Sequence, residues 1–285
     1  PPPAYSSRWF NLPVDHFSTT DRRTFDNRYL VNENHYRENG PVFVYISNHA
    51  EITPTFITSG NVFDTARAQG GVLIALEHRY FGRSRPTPDV SFENLQWLTV
   101  HQVIADIGRF ANFLKRQYHE APIILYGRSN GGNLAIWARQ KYPNVIDGAY
   151  GSSAPLNAIL EDVDYFPNVY RTITQIGGSE CGQVITDAFK MIEDAFEAGN
   201  TSYVEERLNL CSPIDVGNGY DLAMMTFTIA QDMGQNFLSR ASYPEVDEKC
   251  IIMRGLDTPG NPPSDPLDAF ARWYIDDFHF TRGTQ

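Results

Sequence analysis

The sequence predicts an α/β protein in two parts: a parallel sheet with helices on both faces in residues 1–160, and a helix-rich unit in residues 161–285. Apolar runs typical of strands alternate with helical patterns from residue 41 to residue 155, which is the order that a parallel sheet requires. After residue 160 clear strand patterns stop and helical ones continue. We therefore expect the second part to be an all-helical unit.

The first elements along the chain are strands. Residues 1–40 are polar with short alternating stretches such as "TFDNRYLVN", which predict an edge hairpin or two short strands. The run "PVFVYIS" (41–47) predicts a core strand, and "VFDTARAQG" (62–70) predicts a short helix that ends at its glycine. The apolar run in "GVLIALEHRY" (71–80) predicts a strand that is buried on both faces.

The strongest helical pattern covers residues 98–119. Its apolar residues recur at spacings of four, three and four: Val103, Ile107, Phe110 and Leu114. This spacing places them on one face of a helix. Thr99 is suited to cap the first turn, and Asp106 and Arg109 are expected to face outward.

The remaining elements complete the predicted sheet and its second part. "PIILY" (122–126) and "IDGAYGSSAP" (146–155) predict two further strands, and "GGNLAIWARQKY" (131–142) between them predicts a helix. In the second part, residues 184–199 and 220–238 carry helical patterns.

The composition argues against several classes of function. The formal net charge is −11 and the sequence pI is about 5.0, so the chain has no electrostatic reason to bind nucleic acid or anionic lipid. No apolar run reaches the roughly 18 residues of a membrane span. The three cysteines show no zinc-ligand spacing. We therefore expect no membrane segment, no metal and no cofactor.

The segment "GRSNG" (127–131) fits the G-x-S-x-G pattern of a nucleophile elbow. Such a serine, here Ser129, sits on a strained turn between a strand and a helix, with its hydroxyl above the sheet. Gly127 and Gly131 are needed because the turn brings backbone against backbone. The N–H of Asn130 would donate to an oxyanion. The alternative is a glycine turn that merely joins a strand to a helix.

Several longer stretches carry a resemblance to a known family. They are "PVDHFSTTDRRTFDNRYLVN" (13–32), "EHRYFGRSRP" (77–86), "LTVHQVIADI" (98–107), "GRSNGGNLAIWARQKYPNVIDGAYGSSAPL" (127–156), "LCSP" (210–213) and "DLAMMTF" (221–227). Together they resemble the proline-directed serine exopeptidases of lysosomes and secretions, the family of prolylcarboxypeptidase, dipeptidyl peptidase II and the thymus-specific serine protease.

The resemblance implies a fold and an activity. The fold would be the nucleophile half of an α/β-hydrolase core, followed by a helical cap that narrows the site. Ser129 would be the catalytic serine, and the turn that contains Asn48 would supply a second backbone donor to the oxyanion. The substrates would be peptides with proline near the scissile bond at a peptide terminus, and the protein would be secreted or lysosomal. The resemblance leaves open whether the protein forms a homodimer.

The chain also departs from the family pattern. Arg128 and Asn130 stand where the family usually has glycine and tyrosine, and His49 follows Asn48 in a turn that the family makes glycine-rich. The family's catalytic aspartate and histidine, which follow the serine in chain order, have no recognisable counterpart. His279 is the only histidine after Ser129, and its surroundings do not resemble the family's histidine loop. We therefore expect a chain truncated at its C-terminal side, with little activity by itself.

The cysteines and one short motif fit a secreted protein. Cys181 and Cys250 could form a disulfide within the cap, which would leave Cys211 to pair elsewhere or to remain a free thiol. "NTS" at residues 200–202 makes Asn200 a candidate for N-glycosylation.

Other polar residues have a structural and a functional interpretation. Residues 77–80, "EHRY", either contact substrate or form an ion-pair network that braces the edge of the sheet, and we favour the network. His16 and His101 are expected at the surface or as caps. Two other functions remain open besides the exopeptidase. One is a catalytically inactive relative that acts by binding, and the other is a lipase or esterase of the same fold.

Overall fold

The computed structural model describes residues 5–235, 243–257 and 260–282; the side chains of residues 243–245 and 276–282 lie outside that description. Its contacts divide the chain into two compact units, Pro1–Ala158 and Ile159–Gln285. The described part of the first unit contains a sheet with helices on both faces, and that of the second unit is helical. Each unit is described by itself below.

The sheet of the first unit contains six strands in the order β1-β2-β4-β3-β5-β6. Their bounds are β1 Ser6–Pro13, β2 Thr24–Asn32, β3 Val42–Ile46, β4 Val72–Leu76, β5 Ile123–Arg128 and β6 Gly148–Ser152. β1 and β2 form an antiparallel pair, as predicted for residues 1–40, and β2 joins β4 antiparallel. The other pairs are parallel. The parallel strands therefore end at one common edge.

Helices cover both faces of this sheet. α1 (Thr55–Thr58) and α2 (Asn61–Gln69) belong to one face, whereas α3 (Val100–Gln117) and α4 (Asn130–Lys141) belong to the other. The predicted apolar stripe of α3 packs with α4 against β3, β4 and β5 in the largest buried cluster. This strand and helix order confirms the α/β-hydrolase core that the resemblance implies.

Local signals fix the ends of two of these helices as predicted. The Thr99 side chain accepts a hydrogen bond from the Gln102 N–H at 3.3 Å, which caps α3. Gly70 follows α2 with φ of 61°, the left-handed conformation that glycine adopts without a steric cost.

Three predictions in this unit are wrong in detail. The strand predicted for residues 71–80 ends at Leu76, because the polar residues that follow turn away to form a hydrogen-bonded network. Asp106 does not face outward, since it is 3% exposed and binds Arg79. The His16 side chain is 4% exposed, also against Asp106, and so is not at the surface.

The second unit contains six helices in its described part. They are α5 Tyr165–Gly177, α6 Ser179–Glu197, α7 Ser202–Arg207, α8 Gly219–Gly234, α9 Tyr243–Met253 and α10 Pro266–Arg282. The patterns at 184–199 and 220–238 correspond to α6 and α8, although residues 236–238 lie outside the described residues. The core of the unit includes Ile173, Ile192, Phe270 and Trp273. The predicted disulfide is present and joins Cys181 of α6 to Cys250 of α9.

Candidate active site

The elbow predicted at residues 127–131 is a sharp turn between β5 and α4. Ser129 has φ of 54° and ψ of −130°, a conformation that a residue with a side chain rarely adopts. Its N–H donates to Ser152 O at 2.8 Å, and its carbonyl accepts from Gly132 N–H at 2.8 Å. The half-buried Ser129 is thus held at the carboxyl end of the central strands.

The two glycines of the motif are required by close backbone contacts. A Cβ on Gly127 would lie 2.1 Å from Gly131 O, and a Cβ on Gly131 would lie 2.5 Å from Ile46 O. Neither oxygen belongs to a side chain that could move away. The absence of a side chain at both positions lets α4 begin directly beside the end of β3.

The turn after β3 therefore lies beside the elbow. A Cβ on Gly131 would be only 3.4 Å from the carbonyl of Ser47, the residue before Asn48. Ser47 Oγ donates to the carbonyls of Asn48 and Ala50 at 3.3 and 3.1 Å, which fixes the shape of the turn. The structure thus brings together the two segments that the sequence predicts as oxyanion donors.

Two backbone donors remain free in this arrangement. Among the described residues, the N–H groups of Asn48 and Asn130 have no hydrogen-bond acceptor. Asn130 is the first residue of α4, where the backbone N–H lacks an intrahelical partner and the helix dipole is positive. Such groups can donate to an oxygen that becomes negative when a carbonyl is attacked.

No described side chain forms a hydrogen bond with Ser129 Oγ. The sequence offers His279 as the only histidine after the serine, and its side chain lies outside the described residues. Likewise, no group of three or more His, Cys, Asp or Glu side chains suited to a metal occurs within the described parts of the chain.

A pocket of about 240 Å³ opens beside Asn130. His49 and His78 belong to its lining. The apolar part of the lining comes from the loop after β4 and from α3, α4 and the residues before α3: Phe81, Leu98, Val100, Val103 and Leu134. The pocket is therefore apolar with a few polar groups next to the elbow, as small-molecule and peptide side-chain sites commonly are.

His78 is held in one orientation in this pocket. It is 9% exposed, and its Nδ1 lies 2.7 Å from the carbonyl oxygen of Arg79. Because a carbonyl only accepts, Nδ1 carries the proton. Burial lowers the pKa of His78, which favours the neutral ring. No hydrogen bond joins this imidazole to Ser129.

Glu77 and Arg79, on either side of His78, form the bracing network that the sequence analysis favoured. The buried carboxylate of Glu77 accepts from Ser84 Oγ at 2.7 Å, from Arg83 N–H at 3.0 Å and from Ile52 N–H at 3.3 Å. It thus ties the loop after β4 to the turn after β3, which carries Asn48.

Arg79 connects the same loop to α3 and to the N-terminal segment. Its fully buried guanidinium binds both carboxylate oxygens of Asp106, at 2.6 and 2.7 Å, and donates to the carbonyls of Pro13, Val14 and Trp97. His16 Nε2 completes the cluster 2.6 Å from Asp106 Oδ1. The sequence contained a signal that Asp106 is buried. It follows Val103 by three residues and precedes Phe110 by four, which places it on the buried face of α3.

The other predicted residues lie in the second unit. Asn200 is exposed directly before α7, and the following Thr201 donates its hydroxyl hydrogen bond to Glu205 at 2.7 Å. Cys211 is an exposed free cysteine. No helix in the described residues has the length and apolar character needed to cross a bilayer.

Comparisons with known proteins agree with the resemblance. The family model described as serine carboxypeptidase S28 matches residues 12–261. The chain is 35% identical over 217 residues to thymus-specific serine protease of Mus musculus, covering 73% of this chain and 43% of that protein. It is 34% identical over 220 residues to lysosomal Pro-X carboxypeptidase of Bos taurus, covering 74% and 44%.

The chain thus spans less than half the length of these curated relatives. Among solved structures, a thioesterase domain from the curacin biosynthetic pathway aligns with 60% of this chain and 52% of its own, at 18% identity and a TM-score of 0.39.

Proposed function

The chain belongs to the serine carboxypeptidase S28 family, and from this premise we propose that it provides the nucleophile half of a serine exopeptidase active site. Ser129 is the nucleophile of this site, and the N–H groups of Asn130 and Asn48 are the oxyanion donors. The observation that carries the proposal is the strained backbone of Ser129, which has φ of 54° at the junction of a parallel strand and a helix.

The reaction follows from these positions. Ser129 Oγ attacks the carbonyl carbon of the scissile peptide bond and passes its proton to a histidine, while the carbonyl oxygen takes the negative charge beside the two N–H groups. The protonated histidine then gives its proton to the leaving amine, which leaves an ester on Ser129. Water hydrolyses this acyl-enzyme by the same steps.

The substrate class is proposed from the relatives. One of them is named a Pro-X carboxypeptidase. Such an enzyme would bind the end of a peptide with proline near the bond that breaks. We propose the same class here, with the helical second unit as the cap that limits access. The lysosomal relative also supports a lysosomal or secreted location.

A fluorophosphonate probe tests the nucleophile. The complete gene product should be labelled at Ser129, and the variant Ser129→Ala should not be labelled. Protein from the same preparation that has not been treated with the probe should hydrolyse a reporter peptide with proline at the scissile bond faster than a short acyl ester. The reverse preference would favour a lipase or esterase.

A second candidate is a catalytically inactive relative that acts by binding. The lack of a described base at Ser129 and the exchanges at Arg128 and Asn130 favour it. Complete gene product that binds the reporter peptide but stays unlabelled by the probe would support this candidate and contradict the peptidase. Roles in binding nucleic acid or lipid are not part of either candidate.

A further inference from the structure

Arg128 is the residue directly before the nucleophile, and the proposed reaction gives it no role. It is the last residue of β5, paired in register with Ser152 of β6, and its side chain is exposed. Among the described residues, its guanidinium has neither an ion-pair partner nor a side-chain hydrogen bond. An unpaired cation thus stands one residue from Ser129, in a chain whose net charge is −11.

The alternation of side chains along β5 shows from which face of the sheet the Arg128 side chain extends. Ile124, four residues earlier, packs in the cluster that α1 and α2 cover. Tyr126 stacks on Tyr150 with ring centroids 5.0 Å apart. Arg128 has the same parity as these two residues and therefore leaves the sheet on their face, at its carboxyl edge.

A nearby tyrosine supports this position. Burial raises the pKa of Tyr45, and the positive charge of Arg128 acts in the opposite direction. Tyr45 pairs in register with Tyr126 and is the residue before Ile46, the last residue of β3, after which the turn leads to Asn48. The charge of Arg128 thus acts on a side chain near the end of β3, the strand that pairs with β5.

Covalent geometry sets how far a peptide terminus lies from the serine. In a substrate that loses one residue, three bonds separate the scissile carbonyl carbon from the carbon of the C-terminal carboxylate, so the two are about 3.8 Å apart at most. Arg128 directly precedes Ser129 in the chain, so a carboxylate this close to the scissile carbon is also near the residue that carries the guanidinium. A longer leaving peptide places its carboxylate at least one residue farther away.

We propose that Arg128 binds the free C-terminal carboxylate of a leaving single residue and so makes this chain select substrates as a carboxypeptidase. The guanidinium offers a planar pair of donors that matches a carboxylate, and the same charge repels the free amine of an N-terminal dipeptide. This inference rests on the proposed function, because it uses Ser129 as the position of the scissile bond.

The test compares matched peptides that end in Pro-X, with a free carboxylate or with a carboxamide. The measured quantity is the ratio of kcat/KM for acid over amide in the complete gene product. Arg128→Gln should lower this ratio by about tenfold or more, because a charged hydrogen-bond pair is lost. Arg128→Lys should restore part of it. Arg116→Gln, which removes an equal charge from an exposed position at the end of α3, should leave it unchanged.

A binding experiment separates failure of this inference from failure of the proposed function. Ser129→Ala is titrated with the same two peptides, with and without Arg128→Gln. A preference for the acid that disappears with Arg128→Gln supports the inference even where no variant hydrolyses peptide. Equal binding of acid and amide, an acid preference that survives Arg128→Gln, or preferred release of N-terminal dipeptides would overturn it.

Discussion

Ser129 adopts a backbone conformation that costs of the order of 1–3 kcal/mol for a residue with a side chain. The conformation persists because its neighbours determine it. The N–H of Ser129 is bound to Ser152 and its carbonyl accepts from the first turn of α4, while Gly127 and Gly131 remove the side chains that would prevent the approach. The strained turn holds Ser129 between the end of β5 and the start of α4, where a relaxed loop would not hold it.

Gly127→Ala should therefore disrupt the elbow. The new Cβ would lie 2.1 Å from Gly131 O and 2.6 Å from Gly132 N, so the start of α4 must move. We expect a loss of about 1–3 kcal/mol in the free energy of unfolding and loss of fluorophosphonate labelling. Gly148→Ala in β6 is the matched control, because its Cβ would meet only ordinary contacts at 3.7 Å. Equal effects of the two variants would contradict this account.

His78 gives the folded state a defined pH dependence. Burial lowers its pKa below the ordinary value of about 6.5. Between that value and the lowered pKa, the unfolded chain binds a proton that the folded chain does not, so the contribution of His78 to stability is present above about pH 6.5 and is lost as the pH falls. His78→Asn retains an N–H for the Arg79 carbonyl but cannot titrate.

The measurement is the urea midpoint at several pH values between 7.5 and 5. The variant His78→Asn should lose less stability on acidification than the original protein. The control is His119→Asn, since His119 is exposed with φ of 50°, a conformation that asparagine tolerates. If His119→Asn flattened the pH dependence as much as His78→Asn, the buried imidazole would not be its source.

At the scale of elements, the ends of β3 and β4 are fixed by two charged groups that the reaction does not use. Glu77 joins the loop after β4 to the turn after β3. Arg79 joins the same loop to α3 and to the segment after β1. Glu77 holds the turn that carries Asn48 through its bond to Ile52 N–H, and Arg79 fixes the loop on which Glu77 lies, so the proposed oxyanion site depends on this buried network.

Asp106→Asn should destabilise the first unit strongly. The change leaves the fully buried guanidinium of Arg79 without its counter-charge, and loss of one partner of a buried pair typically costs about 3–5 kcal/mol. Chemical unfolding followed by circular dichroism measures the loss. Asp64→Asn, which breaks the exposed pair with Arg67 on α2, should cost about 0.5 kcal/mol or less. Comparable losses in the two variants would refute the bracing role of Asp106.

The elements of the first unit were predictable because their local patterns agree with their packing. The apolar stripe of α3 has the helical period, and Thr99 is a residue type that commonly caps a helix. The continuous apolar run of β4 suits a strand that is buried on both faces. α5 in the second unit was missed for a physical reason. It carries Pro167 near its start and β-branched residues such as Val169 and Ile173, which lower local helical preference, and packing in the core of the unit overrides that preference.

At the scale of the molecule, the sequence predicts the elbow but not the pocket beside it. Gly127, Ser129 and Gly131 lie within five residues, so a short motif contains their geometry. The pocket combines His49, His78 and Leu134, and the Arg79–Asp106 pair spans 27 residues. Such contacts depend on how strands and helices pack, which no local pattern specifies.

The disulfide should stabilise one unit and leave the other unchanged. Cys181 and Cys250 lie 69 residues apart, both within the second unit, so their bridge restricts that part of the unfolded chain by about 4 kcal/mol on the chain-entropy model. Reduction, or the double change Cys181→Ala and Cys250→Ala, should lower hydrogen-exchange protection in α5, α6 and α8. Protection in β3, β5 and α3 should be retained, because the buried cluster that contains them consists of residues of the first unit. Cys211→Ala is the control, because this exposed thiol is free. An equal loss of protection in both units would mean that they unfold as one, against the division of the chain at Ala158.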